Sequence, residues 1–214
     1  MASPQDLVRA ARRAGIRDPR VLDAIGEVPR ADFVPPQTRE RAYLDTPIPI
    51  PHDQVTTQPS LVARMLEGLM LKAEHRVLEV GTGYGWQTAL LATLAGTVLS
   101  IEWFGDLAQE ATANLRAAGI PRDKAEVVVG DGSEGLPEHA PYDAILVAAA
   151  YPQVPSPLIE QLVDGGRLVQ PIGRGGEERV IAFEKAGDRL LEREVLTGAY
   201  FVRLWGTHGF GTKR

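Results

Sequence analysis

Residues 77–87 read VLEVGTGYGWQ. An apolar run of strand length ends in three closely spaced glycines, Gly81, Gly83 and Gly85, and a helix-like stretch, WQTALLATLA, follows. A buried strand that turns this tightly into a helix is the opening of a parallel α/β unit. At such a turn glycines let the backbone take up angles other residues avoid and approach a ligand closely. The chain then repeats the alternation. GTVLSIEW, AEVVVGDG, YDAILVAAA and GRLVQPIG read as further buried strands, with GDLAQEATANLRAAGI and PSPLIEQLVDGG as helices among them. LVARMLEGLML is an amphipathic helix ahead of the first strand. Alternation at this spacing predicts an α/β fold, a doubly wound and mostly parallel sheet with helices on both faces. Further on, ERVIAFEKAGDRLLEREVLTG reads as two strands around a KAGD turn, and AYFVRLWG as a segment that pairs with or covers an edge.

The first sixty residues follow another pattern. SPQDLVRAARRAGI and DPRVLDAIGEV are short helices, with Ser3 and Asp18 at the N-caps and Pro4 and Pro19 at the first helical positions. The stretch from residue 29 to 51 is dense in proline and is expected to be irregular. The expected division is therefore an N-terminal helical segment with a covering loop over 1–60 and a ligand-binding core over 61–214, within one structural domain. Composition narrows the function. A net charge of -5 without a basic stripe argues against nucleic acid as a partner. The absence of cysteine removes thiolate nucleophiles and cysteine-held metals, and four histidines without ligand spacing leave no metal site to expect. No apolar run has the length of a membrane span, and the N-terminus has no signal-peptide core. A cytoplasmic monomer that does not touch the membrane is expected, with a tail mobile after Phe210.

The glycine spacing is G-x-G-x-G, whereas a dinucleotide fingerprint is G-x-G-x-x-G with the pyrophosphate on the helix N-terminus. Glu79 stands two residues before Gly81, where it would repel a pyrophosphate. S-adenosylmethionine has no phosphate and carries an ammonium and a sulfonium, both favoured by a carboxylate. The alternative is that Glu79 caps a backbone amide or pairs with Arg76. Glu102, at the tip of the second strand, suits both ribose hydroxyls, a role equally open to a dinucleotide. In GDGS after the third strand, Asp131 suits the adenine amino group and Gly132 keeps the backbone close. Trp103 and Phe104 beside Glu102 suit an apolar wall for adenine. Trp86 reads as packing.

The tip of the fourth strand, VAAAYPQVPS, offers no general base. A carboxylate acceptor needs none, because its pKa of about 3.3–4.3 leaves it ionised at neutral pH. Transfer is then a matter of proximity and alignment, and the site needs donors that hold the carboxylate. PHDQVTTQPS, residues 51–60, supplies Gln54, Thr56, Thr57 and Ser60.

VPRADFVP, AYLDTPIPIPHDQVTTQPSLVARM, RVLEVGTGYGWQTALLA, VVVGDGSEGLPEHAPYDAILV and LIEQLVDGGRLVQPIG together resemble the protein-L-isoaspartate (D-aspartate) O-methyltransferases. The resemblance implies a Rossmann-like class I methyltransferase core, a seven-stranded sheet whose last hairpin strand is antiparallel, and S-adenosylmethionine as cofactor. Its substrates would be isoaspartyl-containing peptides and proteins. Glu79, Gly81 and Gly83 would hold the methionine end, Glu102 the ribose, and Asp131 and Gly132 the adenine, with Thr82 and Trp103 also among the cofactor-binding residues. Gln54 would close over the cofactor with its loop. The family's active-site serine falls at Thr57, the catalytic candidate. Ile50, His52, Thr56, Ser60 and Val202 would meet the substrate. Where the family has glycine-histidine-glycine, this chain has Pro51, His52 and Asp53, so an inward Asp53 would oppose a carboxylate substrate. An aspartyl methyltransferase acting on a biosynthetic peptide and a non-catalytic cofactor binder are the competing readings.

Overall fold

The computed structural model describes residues 2–211. Helices α1 (Pro4–Arg13) and α2 (Pro19–Glu27) begin where the caps predict, with Asp18 accepting from Arg20 N. The proline-dense stretch holds two short 3-10 turns and then a β-hairpin that the sequence reading missed, β1 (Ile48–Ile50) with β2 (Gln54–Thr56). After α3 (Pro59–Gly68) the alternation begins: β3 (Arg76–Val80), α4 (Trp86–Leu94), β4 (Thr97–Glu102), α5 (Gly105–Ala117), β5 (Ala125–Val129) and β6 (Tyr142–Val147). Then come α6 (Ser156–Glu160), β7 (Leu162–Ile172), β8 (Glu178–Ala186) and β9 (Arg189–Ala199).

Seven strands form one sheet in the order β5-β4-β3-β6-β7-β8-β9. The first five run parallel, and β8 pairs antiparallel with both β7 and β9. The chain winds outward from β3 to β5 and then crosses back to β6, so the switch point lies between β3 and β6. In such sheets the crevice outside the carboxyl ends at that point binds ligands. Helix α6 is shorter than expected, and β7 takes over at Leu162. The reason is a bulge: β7 pairs with Tyr142 at Leu162 and next with Ala144 at Arg167, with Gly165 turning at φ 75.

The sheet divides the core by the two-residue period of its strands. Val77 and Val98 face one apolar cluster together with α3, α4 and the N-terminal helices, while Leu78, Val80 and Ile101 face the other. Leu7, Ile25 and Phe33 belong to the first cluster, so the N-terminal segment shares its core with the sheet. The same period puts Glu79 on the α4 face, paired in register with Ser100 on β4. The segment after β9 does not cover a sheet edge. It lies beside the tip of β6, where Ala150 N donates to Val202 O and Leu204 N to Ala150 O, each at 2.8 Å. Gly206–Gly211 then closes a turn through Gly206 N and Gly211 O at 2.8 Å, so the expectation of a mobile tail concerns residues that lie almost wholly outside those described. No helix among the described residues is long and apolar enough to cross a membrane.

Candidate active site

A cavity of about 120 Å³ opens at the switch point. The glycine turn and first residues of α4 form its floor, the tip of β4 one wall, the β1–β2 hairpin its roof, and Val202–Trp205 its far side. Gly81, Gly83 and Gly85 have φ of 95, 57 and 90, the left-handed region in which a side chain is strained. Gly83 N donates to Glu102 Oε2 at 2.8 Å and Phe104 N to Oε1 at 3.0 Å, which ties the turn to the tip of β4. Burial pushes the Glu102 carboxyl upward against those backbone donors.

Glu79 does not line the cavity. It is fully buried beneath the turn, where Gln87 Nε2 donates to Oε1 at 2.9 Å, and Thr88 and Ser100 hydroxyls to Oε2 at 2.5 Å each. Burial pushes its pKa up to about 7 in spite of these three donors. Neither a backbone cap nor a pair with Arg76 describes it: the strand register set Ser100 beside it, and the turn set α4 above it.

The hairpin turns through His52 and Asp53, both left-handed at φ 63 and 57, with Gln54 N reaching Pro51 O at 3.3 Å. The register Ile50↔Gln54 leaves Pro51, His52 and Asp53 as a three-residue hairpin loop. His52 stacks on Phe104 at 4.1 Å and bonds Asp106 at 2.8 Å, so the hairpin tip is fastened across the cleft to the start of α5. His52 does not line the cavity, and Asp53 is exposed away from it. Ile50, Gln54, Thr56 and Thr57 do line it. Beneath them lies Arg30, fully buried, which sequence reading passed over. It donates to the carbonyls of Ala42, Leu44 and Thr46 at 3.1 Å each, to the Thr56 hydroxyl at 2.8 Å and to Thr57 O at 3.4 Å. Burial lowers its pKa to about 10, still charged at neutral pH. Thr56 also accepts from Ile48 N, so its oxygen serves the hairpin. The Thr57 hydroxyl, among the described residues, is not taken up by such bonds. Ser60 lies off the cavity in the first turn of α3, its N–H held by Asp45 at 2.8 Å.

At the adenine end, Trp103 and Gly132 line the cavity but Asp131 does not. A Cβ on Gly132 would stand 2.3 Å from Val80 Cγ1, so the backbone there can be this close only without a side chain. Both Asp131 oxygens face other partners: Ser133 donates to Oδ1 through N and Oγ, and Thr207 N donates to Oδ2 at 2.7 Å. Burial raises its pKa, but these donors outweigh that and hold it below the usual range. The C-terminal turn therefore rests on the loop expected to meet adenine, and Trp205 beside it lines the cavity.

The sequence model of "Protein-L-isoaspartate(D-aspartate) O-methyltransferase (PCMT)" matches residues 2–209. The chain belongs to the protein-L-isoaspartate (D-aspartate) O-methyltransferase family. It is 50% identical over 205 residues to the protein-L-isoaspartate O-methyltransferase of Methanoregula boonei, covering 96% of this chain and 92% of that one. Identity to its counterpart in Anaeromyxobacter dehalogenans is 51% over 191 residues, covering 89% and 91%. Among solved structures, a protein-L-isoaspartate O-methyltransferase superposes with a TM-score of 0.83 at 28% identity over 96% of this chain and 67% of that one. A Plasmodium falciparum structure described as a putative member, in complex with S-adenosyl-L-homocysteine, superposes with a TM-score of 0.82 at 23% identity, covering 95% and 99%, and shares the fold.

The cavity of this family member fits S-adenosylmethionine by its chemistry. Glycines bring backbone to the ligand, Glu102 sits at the second strand tip, and Trp103, Phe104 and Leu107 form an apolar wall. On Gln87, a buried acceptor oxygen without a hydrogen-bond partner belongs to a lining residue. Arg30, Gln87 and Trp205 are the site residues that sequence reasoning missed. Arg30 lies in the quoted VPRADFVP stretch and Gln87 directly follows the glycine turn, so position offered a signal for both. Nothing local pointed to Trp205.

Proposed function

We propose that the protein transfers a methyl group from S-adenosylmethionine to the free α-carboxylate of L-isoaspartyl and D-aspartyl residues in damaged proteins, the first step of their repair. The observation that carries this reading is the makeup of the cavity where the hairpin meets the glycine turn. There the Thr57 hydroxyl stands over a buried arginine, and no lysine or histidine is among the lining residues. Bound, the cofactor supplies an activated methyl whose transfer to a carboxylate oxygen yields a methyl ester and S-adenosylhomocysteine, with no proton to remove. The chain's part is to hold that oxygen and exclude water. Thr57 donates a hydrogen bond to the carboxylate. The Arg30 charge behind the hairpin favours an anion there and keeps the hairpin in place. The wall formed by Val202 and Ile50 takes the substrate backbone.

In this reading residues 1–60 cover a core of 61–214, Gln54, Gly81, Thr82, Gly83, Glu102, Trp103 and Gly132 touch the cofactor, and the enzyme works as a cytoplasmic monomer without nucleic acid or membrane. Membership of the family and names of relatives at about half identity support the activity. The test is transfer of labelled methyl to an isoaspartyl peptide followed by mild base. Release of the label as methanol is expected of an ester. A base-stable label would overturn the reading, because it would place the methyl on nitrogen or carbon.

A further inference from the structure

Among the described residues that line the cavity, two are charged, Glu102 and Arg203. Glu102 is committed at the floor to the backbone of Gly83 and Phe104. Arg203 stands exposed at the rim and has no part in the transfer described above. Its backbone is nevertheless fixed. A parallel bridge pairs it with Ala150 past the tip of β6, and the residues on either side, through Val202 O and Leu204 N, both bond Ala150 at 2.8 Å.

The guanidinium is held as well. Its Cζ stands 5.2 Å from the centroid of the Phe210 ring, and Tyr151 meets that ring edge-on at 5.1 Å. On the other side Nη2 lies 4.0 Å from where a Cβ on Gly175 would stand, so the head sits beside the loop between β7 and β8. A contact with a ring face restrains a guanidinium without using its N–H donors. Among the described residues those donors make no hydrogen bond or ion pair. Arg167, Arg179 and Arg193, on the neighbouring strands, each have a glutamate. Arg203 is thus a pre-positioned cation at the mouth of the cavity with its donors unspent.

We infer that Arg203 selects among peptide substrates: it pairs with an acidic side chain within two residues of the isoaspartyl position, while Thr57 holds the reacting carboxylate. This rests on the function proposed above. A peptide backbone lying against Val202 advances about 3.3 Å per residue, so the side chains flanking the reacting one pass the guanidinium next door. The chain's net charge of -5 opposes an acidic peptide as a whole. A preference for one must therefore come from a local cation, and Arg203 is the only one among the described lining residues. An exposed charge pair is weak, which sets the preference at about 2–5-fold.

The test is kcat/KM for isoaspartyl peptides that differ only in Glu, Gln or Lys placed one or two residues before or after the isoaspartyl. At low salt the wild type should prefer Glu over Gln by about 2–5-fold on the side that passes Arg203, chiefly through KM. Arg203→Gln should treat the two alike, Arg203→Lys should keep part of the preference, and Arg203→Glu should favour Lys instead. Each preference is a ratio within one protein, so a partly unfolded variant lowers both rates together and leaves it unmoved. High salt, about 1 M, should flatten the wild-type preference. A wild type indifferent to the flanking charge would overturn the inference. So would an Arg203→Gln variant that keeps the preference, which would leave Arg203 as a prop for Phe210, or a preference that survives high salt, which would trace it to shape. Transfer to none of the peptides, the Gln peptide included, would overturn the proposed function and the inference with it.

Discussion

Replacing Glu79 by glutamine tests the buried network through pH. Burial lifts the folded-state pKa from its ordinary 4.5 to about 7. A carboxyl whose pKa is raised binds its proton more tightly when folded. Its contribution to stability is therefore full below the unfolded pKa and is lost as pH rises through the folded one. A shift of about 2.5 units at ~1.4 kcal/mol each gives about 3.5 kcal/mol over the whole range. Of that, about 2 kcal/mol falls between roughly pH 5.5 and 8.5. Glu102 is also raised by burial, and its charge in turn helps raise Glu79, so the difference between the two proteins includes this coupling. Carboxyls held low, such as Asp131 and Asp18, lose their contribution only at more acidic pH. Urea unfolding of unliganded protein across that window should show the wild type falling by about 2 kcal/mol relative to Glu79→Gln as pH rises. Parallel curves would refute the reasoning: they would mean that the Gln87, Thr88 and Ser100 donors outweigh burial and keep Glu79 ionised throughout.

Further outcomes follow from the same geometry. Thr57→Ala should lower kcat by roughly 10–100-fold while the Kd for S-adenosylhomocysteine stays within about twofold, and Thr57→Ser should restore most of the rate. Steady-state kinetics with calorimetry checks both. Arg30→Met strands the carbonyls of Ala42, Leu44 and Thr46, so at roughly 1–3 kcal/mol for each group left unpaired it should cost about 3 kcal/mol or more in chemical denaturation. Arg30→Lys should recover only part, because an ammonium lacks the guanidinium's fork of donors. Gly132→Ala forces a Cβ to within 2.3 Å of Val80 and should lower stability and cofactor affinity together, by about 1–3 kcal/mol in a thermal-shift and binding comparison.

The sheet was legible because its strands are buried on both faces and so read as unbroken apolar runs between helices. The hairpin was not. Pro49 and Pro51 hide the strand pattern, and its left-handed turn is made by His52 and Asp53 in place of the usual glycine or asparagine. The helix expected through Gly166 stopped at Glu160, because the apolar residues after it serve a strand equally well. Glycines of the turn and Glu102 could be placed from their distance to a strand end, and Thr57 from the position of the family's serine. Glu79 was placed at the right tip and given the wrong neighbours. Its partners come from strand register and from the first turn of α4, and neither is a property of the residues beside it. The partner of Asp131 was equally hidden, since Thr207, whose N–H binds it, lies 76 residues away along the chain.

Discrimination between an isoaspartyl peptide and its aspartyl twin tests the central claim most directly. The two differ only in which carboxyl is free beside the backbone. With purified enzyme and labelled S-adenosylmethionine, kcat/KM should be higher for the isoaspartyl peptide by at least about 100-fold, since a misplaced carboxylate forfeits its hydrogen bond and its alignment. Equal rates on the twins, or transfer to neither, would contradict a site built around the isoaspartyl carboxylate.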